Sequence, residues 1–511
     1  MSQDSDGGAD GLENSAVADS AKGNLERHSI GLPAASAQSA ALIGPAVGAV
    51  AGLAFVVSFS GGATPLAFFI GFVICLCIAG VIGEYAKRLP SAGSFYTYLT
   101  RTFGAKSGFV AGVLLFGAYV LLFPFQLDFF GNYVSSWIAS GGVHISWVWF
   151  SLILIIFSTG LGILGVKPSL RTGLVGLTFE MAILIIFSII IVAKGGAAGN
   201  TFHAFSPSSS LKGTSGLLLA VVYTIFSFVG FESATTLGDE AKVPRKTIPR
   251  AVLLTTVIVG AFYVFVAYAV TIGYGISAKH VNALVTAPAP FNTLADHFGN
   301  GVLSVFVNLA VISSFTALNI VTVIAVSRIF WKMGRDGLLP SFLSKVNHKQ
   351  SPWVACLTAG VIAAAASIGF GLVYGPLTFA SWLSFLATLF FIGAYFMICV
   401  GVVRFVWRDY RSDFNWFLHG ALPLISLVSM GWVLYGNVHP YPPSPLRWFI
   451  YATIGVILLS IAVVHWLARR NPEAMLRAGQ VLGDVEEEME TASEERPLSS
   501  GTGGADVSPN E

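Results

Sequence analysis

Two apolar segments decide the fold: Ala41-Leu42-Ile43-Gly44-Pro45-Ala46-Val47-Gly48 and Phe226-Ser227-Phe228-Val229-Gly230-Phe231-Glu232. Each places a glycine inside a stretch long enough to cross a membrane. The first adds a proline, which removes a backbone donor and clashes with the preceding helical turn. Backbone groups freed at that depth need partners from the protein or from a water-lined cavity. We therefore expect two helices that break near the middle of the membrane, which indicates a substrate site between them.

The composition around these segments is that of a membrane protein. Of 511 residues, only 11% are Lys, Arg, Asp or Glu, and 55% are hydrophobic, whereas soluble proteins carry about 25% charged residues. Only ten of the 26 acidic residues lie between residues 29 and 472. We expect disordered cytoplasmic tails at 1–28 and 471–511, the second of them acidic, on either side of a membrane domain at 29–470.

Apolar runs of about 20 residues predict twelve transmembrane spans, numbered here from 1 to 12. They cover 34–59, 64–87, 108–138, 145–166, 170–194, 214–238, 250–276, 299–331, 353–374, 376–406, 418–437 and 446–468. Backbone groups in lipid must be satisfied internally, so the expected fold class is an all-α membrane bundle. The runs lack the alternating pattern of an outer-membrane barrel.

Basic residues predict the orientation. When alternate connections are assigned to opposite sides, 24 of the 28 Lys and Arg residues fall on the side that holds both tails, and four fall on the other. Positively charged connections stay in the cytoplasm. We expect a multi-pass protein of the plasma (inner) membrane, of bacterial origin, with both termini cytoplasmic.

Two connections share a short pattern. Leu-x-x-x-Phe-Gly occurs at 99–104, after span 2, and again at 294–299, after span 7. These connections are equivalent if spans 1–5 and 6–10 form an inverted repeat, in which case they lie on opposite sides of the membrane.

Ionisable residues inside the spans are few, and charges at that depth are expensive and usually functional. They are Asp128 in span 3, Glu180 in span 5 and Glu232 beside the span-6 break. Asp128 is expected to face an external vestibule. In span 8, Ser313 and Ser314 could ligate Na⁺ together with span-1 carbonyls, or could simply bond to carbonyls of their own helix.

Three stretches resemble the signatures of the amino acid–polyamine–organocation (APC) superfamily. They are Phe228-Val229-Gly230-Phe231-Glu232-Ser233-Ala234 with 238–251, then 327–340 after span 8, and 84–96 after span 2. The resemblance extends over roughly residues 30–470. It implies a LeuT-type fold, with a 5+5 inverted repeat, broken helices 1 and 6, and two added C-terminal helices.

The resemblance also implies a substrate site between spans 1 and 6. A substrate carboxylate would lie at the half-helix after Gly44, where Pro45 has no N–H and Ala46 and Val47 must donate. Carbonyls near Leu42, Phe226 and Val229 would accept from an ammonium group. The implied substrate-binding set is Leu42, Gly44, Ala46, Val47, Tyr119, Phe226, Val229 and Gly230, with Phe226 as an aromatic gate and Tyr119 matching a span-3 tyrosine.

Coupling is assigned to two carboxyl groups. In relatives, an acid at the position of Glu232 is associated with gating or proton coupling, although it could instead tie the unwound backbone. Glu180 stands where some proton-coupled relatives have a lysine. A buried carboxyl group favours its neutral form, so Glu180 could load and release a proton.

These observations favour a secondary active transporter, a permease that moves amino acids or related amines across the membrane by alternating access, driven by H⁺ symport. The alternatives are an antiporter that exchanges substrate and product, and a Na⁺-coupled symporter. A channel or membrane sensor is disfavoured because no selectivity-filter segment or output domain is visible. An enzyme is disfavoured because no phosphate-binding loop or His/Cys cluster occurs. We expect the lipid bilayer, a small-molecule substrate and H⁺ or Na⁺ as partners, with no cofactor, metal centre or nucleic acid.

Overall fold

The computed structural model describes residues 30–470, apart from 92, 141, 287–289, 336, 338 and 440–443. In these ranges every regular element is a helix, and the one backbone bridge of β type joins Ile30 to Ala241. The all-α prediction is confirmed. The tails predicted at 1–28 and 471–511 lie outside the described residues.

The long helices follow the predicted spans. From span 2 to span 12 they are Thr64–Arg88, Ala105–Ser140, Trp147–Leu164, Val166–Ala193, Gly213–Ser227, Pro244–Tyr274, Gly301–Arg335, Trp353–Tyr374, Pro376–Asp409, Leu422–Val438 and Leu446–Arg470. Eleven helices in the described ranges are long and apolar enough to cross a membrane. The count of twelve, which includes the interrupted span 1, stays a prediction.

Span 1 is divided where its sequence places glycine and proline. An α-helix over Leu32–Ile43 ends at Gly44, which adopts the left-handed conformation with φ of 65°. One turn at Pro45–Val47 and a π-helical segment at Gly48–Gly52 lead into a second helix, Leu53–Ser60. Proline suits the first position of the new helical turn, because its missing N–H would have no partner there.

Span 6 breaks in the same way. Its α-helix ends at Ser227, Gly230 has φ of 113°, and the chain continues as a 3₁₀ helix over Phe231–Glu240. A left-handed φ of this kind is readily adopted only by glycine. Both predicted breaks are therefore present in the structure.

The 2→3 and 7→8 connections each form a short helix. Phe95–Phe103 and Pro290–Phe298 are both nine residues long, and each is followed by a glycine. This correspondence is consistent with the predicted inverted repeat, which remains a prediction. Spans 9 and 10 separate at Gly375, which has φ of 86°, so the boundary read from the sequence is correct.

Candidate functional site

The two breaks meet in the middle of the bundle. A Cβ atom added to Gly230 would lie 2.9 Å from both the carbonyl carbon and the oxygen of Leu42 and 3.1 Å from the nitrogen of Ile43. Only a residue without a side chain allows the span-6 backbone to approach span 1 so closely. The glycines thus provide both the bend and the contact between the two broken helices.

A cavity of about 350 Å³ opens beside this contact. Its lining comes from spans 1, 3, 6, 8 and 10: Leu42, Ile43, Val47, Gly48, Gly52, Leu122, Phe125, Gln126, Phe129, Tyr223, Phe226, Ser227, Val229, Leu318, Leu377, Ser381 and Ser384. The volume falls in the range of small-ligand pockets. Four predicted site residues line it, namely Leu42, Val47, Phe226 and Val229, whereas Gly44, Ala46, Tyr119 and Gly230 lie outside the lining.

The cavity wall is mostly apolar and aromatic. Its polar side chains are the hydroxyls of Tyr223, Ser227, Ser381 and Ser384 and the amide of Gln126, and no Asp, Glu, Lys, Arg or His belongs to the described lining. The serine hydroxyls donate to carbonyls of their own helices, as Ser227 does to Tyr223 at 3.0 Å. Sequence reasoning missed the contributions of Phe125, Phe129 and span 10, because apolar residues on all sides of a span do not reveal which face lines a cavity.

The backbone donors after the span-1 break point to protein groups. The Val47 N–H donates to Ser314 Oγ at 3.3 Å, and the Gly48 N–H donates to the Gly44 carbonyl at 2.9 Å. The Ala46 N–H faces the carboxyl group of Glu180. The donors that the resemblance assigned to a substrate carboxylate are thus turned toward spans 5 and 8.

Glu180 is buried next to this break. Its side chain has no solvent exposure. Among the described residues, no donor lies within hydrogen-bonding distance and angle of either carboxyl oxygen. The Ser314 hydroxyl and the Ala46 amide are the polar groups that face it. Of the two predicted Na⁺-binding serines, only Ser314 is therefore directed at the break, since Ser313 donates to the Gly176 carbonyl in span 5 at 3.2 Å.

Glu232 has the opposite surroundings. It accepts the Tyr119 hydroxyl at 2.5 Å, the Tyr395 hydroxyl at 2.6 Å and the Gly230 N–H at 3.1 Å. Spans 3, 6 and 10 are thereby joined through one buried carboxyl group. Tyr395 was missed in the sequence because nothing around it in span 10 distinguishes it from other buried aromatics.

The prediction that Asp128 faces an external vestibule is wrong. Its side chain is buried and its Oδ1 accepts the Ser367 hydroxyl of span 9 at 2.5 Å. A carbon added at Gly371 would lie 3.2 Å from the same oxygen. Span 3 is long, but at this level spans 4 and 9 cover it, so Asp128 lies between helices and away from the cavity.

The two ends of the cavity differ in access. Leu377 and Ser381, at the predicted external start of span 10, are exposed. At the other end, Arg328 Nε in span 8 and Glu240 Oε1 at the end of span 6 form an ion pair at 2.9 Å, with both side chains 1% exposed. The Ile30 N–H also donates to the Glu240 carbonyl at 3.0 Å. Lining residues are therefore exposed at one end of the cavity, and a buried ion pair lies beyond the other.

Known proteins with similar sequences include a permease and an importer. The chain is 23% identical over 446 residues to the branched-chain amino acid permease BcaP of Bacillus subtilis, covering 81% of this chain and 89% of the relative. It is 25% identical to the low-affinity putrescine importer PlaP of Escherichia coli, covering 80% and 88%.

A solved structure has the same fold. The crystal structure of MhsT in complex with L-phenylalanine superposes with a TM-score of 0.57 at 18% identity, covering 78% of this chain and 98% of that one. This likeness confirms the predicted LeuT-type architecture.

The family assignment rests on a match along most of the chain. The sequence model of the amino acid permease family matches residues 39–477, which include both breaks, the cavity and the buried carboxyl groups. The chain belongs to the amino acid permease family, and it is a multi-pass membrane transporter and not an enzyme.

Proposed function

We propose that this permease is a secondary active importer of neutral amino acids with apolar side chains, driven by protons and working by alternating access. The observation that carries the proposal is the cavity of about 350 Å³ where the two broken helices meet, with an apolar and aromatic wall. Such a wall suits an aliphatic or aromatic side chain. BcaP is a branched-chain amino acid permease and MhsT was solved with L-phenylalanine, and both of these substrates belong to the same class.

A diamine fits this cavity less well, although one relative is a putrescine importer. A second ammonium group would need an acidic partner, and no Asp or Glu belongs to the described lining. Glu232 is occupied by two tyrosine hydroxyls and a backbone N–H, and Asp128 lies between spans 3 and 9. A substrate with a single ammonium group can use backbone carbonyls near Leu42, Phe226 and Val229 as acceptors.

The coupling proposal concerns Glu180. The Ala46 amide and the Ser314 hydroxyl, which face Glu180, are groups that a substrate carboxylate would also use. Two carboxylates sharing these donors would repel each other, so substrate binding favours protonated Glu180. By reciprocity, a proton on Glu180 favours substrate binding. This linkage is what proton symport requires.

Two other coupling modes are less favoured than proton symport. A Na⁺ ion between Glu180, Ser314 and span-1 carbonyls could replace the proton, and exchange of one substrate for another could replace net import. Both keep the same cavity and the same broken helices. We place the protein in the plasma membrane with both termini in the cytoplasm, because most of its basic residues fall on the side that holds the tails.

Transport by purified protein in liposomes tests these proposals. L-leucine, L-phenylalanine and putrescine would be supplied under an imposed pH gradient, under a Na⁺ gradient, or with substrate inside the vesicles. We expect accumulation of the two amino acids under the pH gradient alone. Accumulation of putrescine in preference to both amino acids would contradict the substrate class, and a requirement for Na⁺ or for internal substrate would contradict proton symport.

A further inference from the structure

A groove with two arginines lies on the outer surface of span 10, near its predicted cytoplasmic end. Its lining is Val400, Val403, Arg404, Trp407 and Arg408, all of them exposed. The valines are 42% and 36% exposed, and apolar side chains exposed on a membrane-spanning helix face lipid. The groove therefore passes from a lipid-facing apolar wall to a basic end within about two helical turns.

Both arginines are fixed against the neighbouring helix Phe95–Phe103. Arg404 Nε donates to the Thr102 carbonyl at 3.3 Å, and its guanidinium group lies 5.7 Å from the centre of the Phe103 ring. Arg408 Nη2 donates to the Arg101 carbonyl at 2.9 Å. Arg404 makes this bond through Nε, and its Nη groups have no acceptor among the described residues. A planar group held in this way is prepared to bind an oxyanion.

The charge around the groove is not balanced. Asp409 accepts from Arg408 Nε at 2.6 Å and from Arg408 Nη2 at 3.0 Å, and it forms an ion pair with Arg101 at 3.2 Å. Within the described ranges, neither Arg404 nor Arg411 forms an ion pair with a carboxylate. Arg411 instead lies over the Trp407 ring at 4.8 Å. An excess of positive charge is therefore concentrated at one end of the groove.

Trp407 indicates the depth of the site. It is 47% exposed between the two groove arginines, and tryptophan is enriched where the hydrocarbon region meets the headgroups. The basic end is thus at headgroup level, and the valines lie deeper, beside the acyl chains.

We infer that this groove binds the headgroup of an anionic phospholipid, with the phosphodiester between Arg404 and Arg408 and an acyl chain along Val400 and Val403. A free phosphate would use the arginines but not the apolar wall. Bound lipid would join span 10 to the helix that connects spans 2 and 3.

Native mass spectrometry of the full-length protein in a neutral detergent tests this site. The protein would be titrated with phosphatidylglycerol and, separately, with phosphatidylcholine. We compare the wild type, the double variant R404Q/R408Q and the control R245Q/K246Q, which removes two exposed cations at the start of span 7. R404Q alone serves if the double variant does not fold.

We expect one phosphatidylglycerol to bind more tightly than phosphatidylcholine, and the double variant to lose about 30-fold in affinity for it, from two arginines near a membrane surface. R404Q alone should lose about fivefold, and the control should match the wild type. Three results would overturn the inference: equal affinity for both lipids, an unchanged double variant, or an equal loss in the control. Competition by inorganic phosphate at the lipid's own concentration would assign the arginines to a free anion and would also overturn it.

Discussion

At the scale of single residues, two buried carboxyl groups differ in their partners. Glu232 accepts three hydrogen bonds, from Tyr119, Tyr395 and the Gly230 backbone. Glu180 has none that meets hydrogen-bond geometry among the described residues. Glu232 thereby fastens three spans to one another, whereas Glu180 faces only the Ser314 hydroxyl and the Ala46 amide, which a substrate carboxylate could also use. This contrast suits Glu232 to fastening the break and Glu180 to exchanging a proton.

The variant Glu180→Gln tests that division of roles. Glutamine has a similar volume and mimics the protonated acid permanently, so the proposed linkage between proton and substrate disappears. We expect the variant to exchange labelled for unlabelled substrate across liposomes at near the wild-type rate. We also expect it to lose accumulation driven by a pH gradient.

Asp128→Asn is the matched control, because it neutralises another buried carboxyl group that lies outside the cavity. It should keep proton-driven accumulation. If Glu180→Gln accumulates substrate as well as the wild type does, Glu180 is structural and the coupling site lies elsewhere.

Tyr395→Phe tests the hydrogen bond from the Tyr395 hydroxyl to Glu232. The substitution keeps the ring, which packs against Phe95, Phe231 and Phe391, but removes one donor to buried Glu232. We expect a loss of about 1–3 kcal/mol in stability, the usual cost of depriving a buried acceptor of its partner. Thermal unfolding in detergent measures it.

Tyr98→Phe provides the comparison. Tyr98 is also fully buried, and its hydroxyl has no hydrogen-bond partner among the described residues. Removing that hydroxyl should leave the unfolding temperature unchanged or slightly higher. If both substitutions lowered the unfolding temperature equally, the hydrogen bond to Glu232 would not contribute to stability beyond the loss of any buried hydroxyl.

At the scale of helices, the breaks in spans 1 and 6 depend on glycine for two separate reasons. Gly44 and Gly230 supply left-handed backbone conformations. Gly230 also brings its backbone against Leu42. The predicted site exists only while both conditions hold.

Gly230→Ala tests the break with the smallest possible side chain, a single methyl group. The added methyl carbon would lie 2.9 Å from the Leu42 carbonyl atoms, and the φ of 113° is rarely adopted by a residue with a side chain. Backbone cannot give way as a flexible side chain can, so the two broken helices must separate. We expect transport in liposomes to be abolished while the protein still reaches the membrane.

Gly160→Ala is the control for this substitution. Gly160 lies within the helix Trp147–Leu164, and a Cβ there would have nothing within 4 Å. Alanine also favours helix over glycine by roughly 1 kcal/mol. The control should transport normally. Normal transport by Gly230→Ala would mean that the two breaks need not touch.

How much the sequence predicts depends on what each feature requires. Span limits follow from long apolar runs, and the breaks follow from Gly44, Pro45 and Gly230, which change the backbone directly. The lining by Phe125 and Phe129, the Tyr395 hydrogen bond and the burial of Asp128 depend on how each helix is rotated against its neighbours. In a bundle that is apolar on both its inner and lipid-facing sides, hydrophobic periodicity does not determine that rotation.

At the scale of the whole molecule, the structure is asymmetric about its cavity. Leu377 is exposed at one end, whereas the buried pair of Arg328 and Glu240 and the pairing of Ile30 with the end of span 6 lie beyond the other. The proposed alternating access requires this buried region to open when the other end closes. We therefore expect the ion pair to stabilise the conformation seen here and not its counterpart.

Arg328→Met should shift that balance. Removing Arg328 takes a positive charge and two hydrogen bonds from buried Glu240, and this loss costs less in a conformation where Glu240 reaches water. Cys356 is buried beside Arg328 and Ser327, so its alkylation reports the opening. We expect a maleimide to modify Cys356 faster in Arg328→Met than in the wild type, as measured by peptide mass spectrometry. The double variant Arg328→Met/Glu240→Met removes both members of the pair and should return the rate toward the wild-type value. Cys399, also buried but in span 10, should keep its rate in both variants; if it rises together with Cys356, the bundle has loosened generally and the pair is not a closure.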